Sequence, residues 1–225
     1  MTIDLLRAFR FPCLMAGIVL FWGLSFRSMA CELETTVSES TPAEVGAFFE
    51  RQDKDVVTFM GYSGAGYEDE ASMLEKAARV LDEFDSSRTI VNIGATPDGI
   101  GAVYKLAKRR GFVTTGIVST QAKKYNAELS PCVDYVFYVE DPIWGGFMDG
   151  DRLSPTSSAM VGNSDVLIGI GGGEVARDEL LSGRRSGKDV RFIPADMNHE
   201  KARDKARKKG MSPPAVFGGA AGEAF

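Results

Sequence analysis

Histidine and cysteine, the residues that most often hold metals or act as nucleophiles, are scarce in this sequence. It has one histidine, His199, and three cysteines, Cys13, Cys31 and Cys132. His199 follows Asn198 at the start of a predicted helix, far from the glycine-rich segments, so no histidine-based triad can be assembled around it. The cysteines lack the short paired spacings of a metal site. We therefore expect no metal and no cofactor, and Cys31 and Cys132 stay open as a disulfide or as unpaired residues.

Positive charge is also in short supply. Lysine and arginine number 26 against 31 aspartate and glutamate residues, which gives a formal net charge of −5. Nucleic-acid binding needs a basic surface to contact phosphates, so this balance predicts no general nucleic-acid partner. No G-x-G-x-x-G motif follows a predicted strand, and the strand that leads into Gly94 carries no acidic residue for a ribose 2′-hydroxyl. These gaps disfavour a nicotinamide dinucleotide as ligand.

The long apolar run of this sequence is at its N-terminus. Arg7 and Arg10 precede an apolar stretch over residues 11–26, and a small-residue cleavage site ends at Ala30. This arrangement predicts an export signal over residues 1–30. Two alternatives stay open: an uncleaved membrane anchor, or a bacterial lipoprotein acylated on Cys31. All three place the folded part in the periplasm or outside the cell, and the last two would tether it to a membrane.

The rest of the chain alternates short apolar segments with amphipathic ones, as α/β proteins do. Strands are predicted over residues 55–60, 89–93, 112–119, 135–139, 166–170 and 189–193. Helical segments joined to such strands by short links indicate a mostly parallel sheet with helices on both faces, a Rossmann-like fold. We expect one domain over residues 55–210, preceded by a tether and short helix over 31–54 and followed by a flexible tail over 211–225.

Three of the predicted strands end in glycine-rich turns that lead into helices, and we call these turns the glycine corners. Glycine lets backbone N–H groups approach a ligand, and a helix N-terminus adds free N–H groups and a positive dipole end. Ligands of parallel sheets bind at the carboxyl ends of the strands, where all three corners lie. We therefore predict a small-molecule site there. Its predicted contacts are Gly61, Ser63, Gly64, Gly94, Thr96, Gly99, Gly101, Ser157, Gly171, Gly172 and Gly173.

Taken together, the corners resemble the LOG-like branch of the SLOG superfamily, Rossmann-like proteins once labelled lysine decarboxylase-like. The resemblance rests on V-V-T-F-M-G-Y-S-G from Val56, I-V-N-I-G from Ile90 with a following G-I-G, and S-D-V-L-I-G-I-G-G-G-E-V-A-R-D-E-L from Ser164. It covers roughly residues 55–193. Members of that family include cytokinin-activating phosphoribohydrolases and non-catalytic nucleotide sensors. The resemblance therefore implies a nucleotide-like ligand and, because family members are commonly dimers, a homodimer.

The sequence departs from that family's P-G-G-x-G-T-x-x-E signature. The glycine pair is preserved and the glutamate falls on Glu179, but Val175 and Ala176 occupy the later glycine and the threonine. The hydrolases also carry R-K-x-x-M in the preceding helix, and with Met160 as the methionine, Thr156 stands in place of the arginine. Without that arginine, the chain lacks the cationic partner that the family's motif supplies at this position. The resemblance implies that Glu179 is the candidate catalytic residue of a chain that lacks part of the machinery.

These observations predict binding of a nucleotide, or of another small molecule with a phosphate or a ribose, without catalysis. One alternative is a phosphoribohydrolase that cleaves the N-glycosidic bond of a nucleoside monophosphate, with Glu179 and a cation that the sequence does not identify. Another alternative is an interaction module that keeps the fold and binds no ligand. Trp144 is either a stacking platform for a base or a cover for the edge of the core.

Overall fold

The computed structural model describes Cys31 and residues 34–225, so the predicted export signal lies outside the described residues. The strands are β1 (Thr36–Glu39), β2 (Asp55–Gly61), β3 (Thr89–Ile93), β4 (Val113–Ser119), β5 (Tyr135–Val139), β6 (Val166–Ile170) and β7 (Asp189–Ile193). They form one sheet in the order β1-β5-β4-β3-β2-β6-β7, and every neighbouring pair is parallel.

Helices cover both faces of this sheet. They are α1 (Pro42–Gln52), α2 (Glu70–Leu81), α3 (Ala102–Arg109), α4 (Gln121–Lys124), α5 (Pro155–Gly162), α6 (Glu174–Arg185), α7 (His199–Lys208) and α8 (Gly219–Ala224), with a 3-10 turn at Gly99–Gly101. The buried residues of α2 and α3 pack into one apolar cluster, and those of α1, α5 and α6 pack into a second. The predicted Rossmann-like α/β fold with helices on both faces is confirmed.

Burial follows the position of each strand in the sheet. All five residues of the central strand β3, T-I-V-N-I, are buried, as expected for a parallel strand that is covered on both faces. The edge strand β1 has the sequence T-V-S-E and is mostly exposed, and the other edge strand, β7, is only partly buried. Polar or charged edge strands discourage pairing with further chains.

The strand order reverses beside β2. From β2 the chain moves outward through β3, β4 and β5, and it then returns to place β6 on the other side of β2. The loops that leave the carboxyl ends of β2 and β6 therefore diverge to opposite parts of the sheet. Ligand crevices of open α/β sheets form at such switch points.

Residues 36–39 are not the tether that we predicted. They form β1, which pairs with β5 in a register that places Thr36 beside Tyr135. The strand is short and polar because it lies at the sheet edge and has a partner on one side only. The predicted short helix is present as α1, and a capping box between Thr41 and Glu44 fixes its start.

The C-terminal residues also depart from the prediction of a flexible tail. Residues 219–224 form α8, in which Ala221 is fully buried and donates its N–H to the Gly172 carbonyl oxygen at 3.1 Å. The Phe225 ring lies 5.3 Å from the Phe192 ring. The segment is rich in glycine and alanine, which gives no apolar period in the sequence but allows its backbone to approach the third glycine corner closely.

Cys31 and Cys132 form a disulfide that ties the residues before β1 to the loop before β5. The sequence left these two cysteines open as a disulfide or as unpaired residues, and in the structure they form the disulfide. Lipid attachment through the sulfur of Cys31 is incompatible with this bond, because the same sulfur would have to form a thioether. Among the described residues, no helix has both the length and the apolar character to cross a membrane.

Candidate functional site

A cavity of about 580 Å³ lies at the carboxyl ends of β2, β3 and β4, beside the switch point. This volume falls within the range of small-molecule sites. Strand ends form the apolar base, and the loops after them, together with α5 and α6, form the walls. The lining includes Phe59, Met60, Gly61, Ile93, Gly94, Ile117, Val118, Ser119, Leu129, Thr156, Met160, Val175, Ala176 and Glu179.

The first two glycine corners contribute directly to this lining. Gly61, Ser63 and Gly64 come from the first corner, and Gly94 and Thr96 come from the second. A Cβ added at Gly64 or at Gly94 would have no heavy atom within 4 Å, so both positions face open space. These residues are therefore where a ligand could approach the backbone.

Gly99 and Gly101, also predicted contacts, do not line the cavity and instead pack the two corners together. A Cβ at Gly99, which has a φ of +58°, would overlap the Tyr62 carbonyl oxygen, and one at Gly101 would overlap the Thr96 carbonyl oxygen. Between them, Ile100 donates its N–H to the Tyr62 oxygen at 2.7 Å. Gly99 is therefore required for contact between the two corners, and Gly101 for the fold of the second corner itself.

The third corner, residues 171–173, lies outside the cavity lining. Gly172 has a φ of +136°, and α8 covers it, with Ala221 close to the position that a Cβ would take. The helix that this corner starts nevertheless reaches the cavity through Val175, Ala176 and Glu179. A ligand in this cavity would meet the first turns of α6 and would not meet the glycine triplet.

Glu179 is a buried carboxyl in the cavity wall. Ser157 Oγ donates a hydrogen bond of 2.6 Å to Glu179 Oε1 and accepts one of 2.7 Å from the Gly146 N–H. Burial raises the pKa of Glu179 to about 7, the nearby Asp178 carboxylate acts in the same direction, and the Ser157 hydrogen bond opposes them. Near neutral pH this carboxyl can therefore accept a hydrogen bond or donate one.

Helix α5 brings two more lining residues, Thr156 and Met160, to the same wall. Ser154 caps the helix, Pro155 follows, and Thr156 donates its N–H to Asp141 Oδ2 at 2.9 Å. Thr156 Oγ1 is buried and has no hydrogen-bond partner within the part of the chain that the structure describes. Thr156 and Met160 line the cavity together with Glu179. The position that the resemblance matches to an arginine, Thr156, therefore lies at this site.

The charged side chains that line the cavity are all acidic. Asp98 and Glu128 are exposed residues of the lining, and Glu179 is buried. No lysine, arginine or histidine of the described residues lines it. Arg177, the cation that the sequence places nearest to Glu179, pairs with Asp178 at 2.8 Å instead. The cavity therefore has an acidic character.

Trp144 also lines the cavity and is 51% exposed. Its ring stacks on Tyr125, with the ring centroids 5.8 Å apart and the planes at 25°. The loop that carries Glu128 and Leu129 lines the cavity as well, and no sequence motif had indicated it. This loop follows the short helix after β4, so it also lies at the carboxyl end of a strand. That position in the sequence could have indicated that the loop belongs to the site.

No family model and no curated protein matched this chain. Solved structures with a similar fold include the molybdenum cofactor binding protein of the phototrophic bacterium Rippkaea orientalis, at 18% identity and a TM-score of 0.46, covering 72% of this chain and 90% of that one. The molybdenum cofactor carrier protein of Chlamydomonas reinhardtii matches at 20% identity and 0.45, covering 76% and 94%. The protein TM1055 matches at 20% and 0.44, covering 60% and 72%. Likenesses at this level assign neither a family nor a ligand to this chain.

Proposed function

We propose that this chain binds a small organic molecule in the cavity at the carboxyl ends of β2, β3 and β4, and that binding without catalysis is its function. The observation that carries the proposal is the convergence of open backbone at Gly64 and Gly94 with the buried carboxyl residue Glu179 on one cavity of about 580 Å³.

The chemistry of the lining favours a ligand with hydroxyl groups and a planar part. Glu179 can bond the hydroxyls of a ribose, and the ring of Trp144, which stacks on Tyr125, offers a surface for a heterocycle. These features support the ribose part of the ligand that the sequence predicts. We also propose, on the sequence resemblance, that the domain is a divergent member of the LOG-like branch of the SLOG superfamily.

One observation favours the phosphoribohydrolase alternative. The pKa of Glu179, at about 7, is suited to a group that must give and take a proton near neutral pH. No cationic side chain of the described lining is available to hold the phosphate or to stabilise the departing base, and Thr156 occupies the position of the family's arginine. Transition-state charge stabilisation of this kind is often the largest catalytic contribution, so we favour binding.

A thermal-shift screen of nucleosides, nucleotides and ribose phosphates tests the proposal. A ligand at 100 times its dissociation constant adds about 2.7 kcal/mol to the free energy of unfolding, which raises Tm by several degrees. Gly94→Leu should fill the cavity and abolish the shift. Gly173→Leu is the matched control, because it also places a leucine in open space but outside the lining.

Chromatography and the outcomes of the thermal-shift screen separate the alternatives. Chromatography of the bound compound should return it intact, whereas release of a free base would establish the hydrolase. If no compound raises the Tm of the wild-type protein, the interaction module is favoured. If Gly173→Leu abolishes the Tm shift and Gly94→Leu does not, a site at the third corner is favoured.

We also propose that the domain works outside the cytoplasm. Disulfides persist in oxidising compartments, and the Cys31–Cys132 bond therefore supports the predicted export to the periplasm or the exterior. The homodimer stays a prediction that rests on the family resemblance alone.

A further inference from the structure

We infer that Tyr104, which does not line the cavity, is a positioning residue of the ligand site and holds the second glycine corner in the conformation that binds the ligand. The inference rests on the proposed function and names a residue that sets the affinity without touching the ligand. Tyr104 acts through Ala95, a lining residue that stands between the lining residues Gly94 and Thr96.

Ala95 has a backbone conformation that alanine rarely adopts. Its φ of +55° lies in the left-handed region, and the residue is fully buried. The other non-glycine residues of the described chain with such a φ are Asp53 and Asn126, which are exposed and belong to types that tolerate this region. A strained residue keeps its conformation only where its surroundings hold it, and such residues concentrate at functional sites. The strain at Ala95 therefore points to the cavity that this residue lines.

The Tyr104 hydroxyl is the first of the contacts that hold Ala95. It accepts the Ala95 N–H at 3.1 Å and donates to the Thr115 carbonyl oxygen at 2.8 Å. A hydroxyl group can accept and donate at the same time, so the two bonds form together. Tyr104 lies on α3 and is fully buried, and its hydroxyl thus ties the second corner to β4. Loss of this hydroxyl would leave the buried Ala95 N–H without its acceptor.

Two further contacts hold other sides of Ala95. Ser130 donates its N–H to the Ala95 carbonyl oxygen at 2.9 Å, and the loop of Ser130 also carries the lining residues Glu128 and Leu129. Gly116 of β4 lies against the Ala95 side chain, where an added Cβ would be 2.6 Å from the Ala95 Cβ. The conformation of Ala95 therefore sets how the second corner meets both β4 and this wall of the cavity.

The held conformation leaves donors of the second corner for a ligand. Ala95 uses its N–H on the Tyr104 hydroxyl, whereas none of the described residues accepts the N–H of Gly94 or of Thr96. Both of these residues line the cavity. A loop that is already ordered binds more tightly, because the ligand does not have to offset the cost of ordering it. Tyr104 therefore contributes to affinity through the preorganisation of this corner.

Tyr104→Phe tests the inference, because it removes the hydroxyl and keeps the ring in the core. Calorimetric titration of the full chain uses the four ribonucleosides, their 5′-monophosphates and ribose 5-phosphate as probes. The probe that binds the wild type most tightly should bind Tyr104→Phe at least about tenfold more weakly. Thr114→Val is the matched control, since it removes a buried hydroxyl that donates to the Cys132 carbonyl oxygen at 2.8 Å, outside the lining. The control should lower Tm and leave the affinity unchanged.

Gly116→Ala provides a second test that leaves Tyr104 in place. Its added methyl group would overlap Ala95 and displace the same corner, so we expect a similar loss of affinity. A folded Tyr104→Phe protein that binds as tightly as the wild type would overturn the inference and leave the proposed function standing. If that variant does not fold, an unchanged affinity of Gly116→Ala would have the same meaning. A loss that Thr114→Val shares would assign the effect to general destabilisation and would also overturn the inference. Absence of binding of every probe to the wild type would overturn both.

Discussion

Ser157 and Glu179 are 22 positions apart in sequence, yet a hydrogen bond of 2.6 Å joins Ser157 Oγ to Glu179 Oε1 inside the protein. The bond connects α5 to α6 and fixes the orientation of a buried carboxyl in the cavity wall. Because Ser157 Oγ also accepts the Gly146 N–H, the loop before α5 is held in the same network. Changes to either residue should therefore affect both stability and the ligand site.

Glu179→Gln should remove a pH dependence of stability. Burial raises the pKa of Glu179 from 4.5 to about 7, so between these values the folded state binds more protons than the unfolded state. The free energy of unfolding should therefore fall as pH rises from 4.5 through 7, by up to about 3 kcal/mol for this group. Urea denaturation at pH 5 and pH 8 measures the difference, which should be smaller in Glu179→Gln. An equal pH dependence in the two proteins would contradict the assignment.

Ser157→Ala should destabilise the domain by about 1–3 kcal/mol, because it leaves both the Glu179 carboxyl and the Gly146 N–H without their partner. It should also raise the pKa of Glu179 further, since the Ser157 hydrogen bond is the influence that lowers it. Chemical denaturation measures the first effect, and titration of the Glu179 side chain by carbon-detected NMR measures the second. Ser158→Ala, at the exposed neighbouring serine, is the control and should have little effect.

Reduction of the Cys31–Cys132 bond should lower stability substantially. The cysteines are 101 positions apart, and closing a loop of about this length stabilises a protein by roughly 4–5 kcal/mol in the chain-entropy model. Calorimetry with and without a thiol reductant measures the change in Tm. Cys132→Ser should match the reduced protein and should not respond to the reductant. A wild-type Tm that is the same in both conditions would show that the bond is absent or does not contribute.

Deletion of residues 219–225 should cost at least about 2 kcal/mol, because it removes the buried Ala221 and the packing of Phe225 on Phe192. A more selective variant is Ala221→Leu, which should force α8 away from Gly172. Glu223→Leu makes a similar change at an exposed position of the same helix and should be tolerated. Equal stability of all these proteins would restore the flexible tail that the sequence predicted.

The sequence was sufficient to predict the sheet, because β2, β3, β5 and β6 are short apolar runs whose length and branching suit buried parallel strands. It was also sufficient for the positions of the first two corners. It did not distinguish glycines that face a ligand from glycines that face the chain. Gly94 faces open space, whereas Gly101 packs on Thr96. Room for a ligand and close packing of the chain both call for glycine, so the sequence alone cannot separate them.

Three other features depended on contacts between distant segments. α8 has no apolar period, and its position follows from a fit between small residues and the third corner. β1 is a polar segment of four residues that becomes a strand because β5 offers an open edge. The acidic lining combines Asp98, Glu128 and Glu179 from three separate parts of the chain, so no local motif could reveal it.

Mapping the bound ligand by NMR tests the central claim most directly. Backbone amide shifts of isotope-labelled protein would be recorded while the tightest compound from the screen is added. The account predicts that the perturbed amides cluster at Gly64, Gly94, Thr156 and Glu179, around the cavity. Perturbations that cluster at Gly172 and Gly173, or that spread without a cluster, would contradict it.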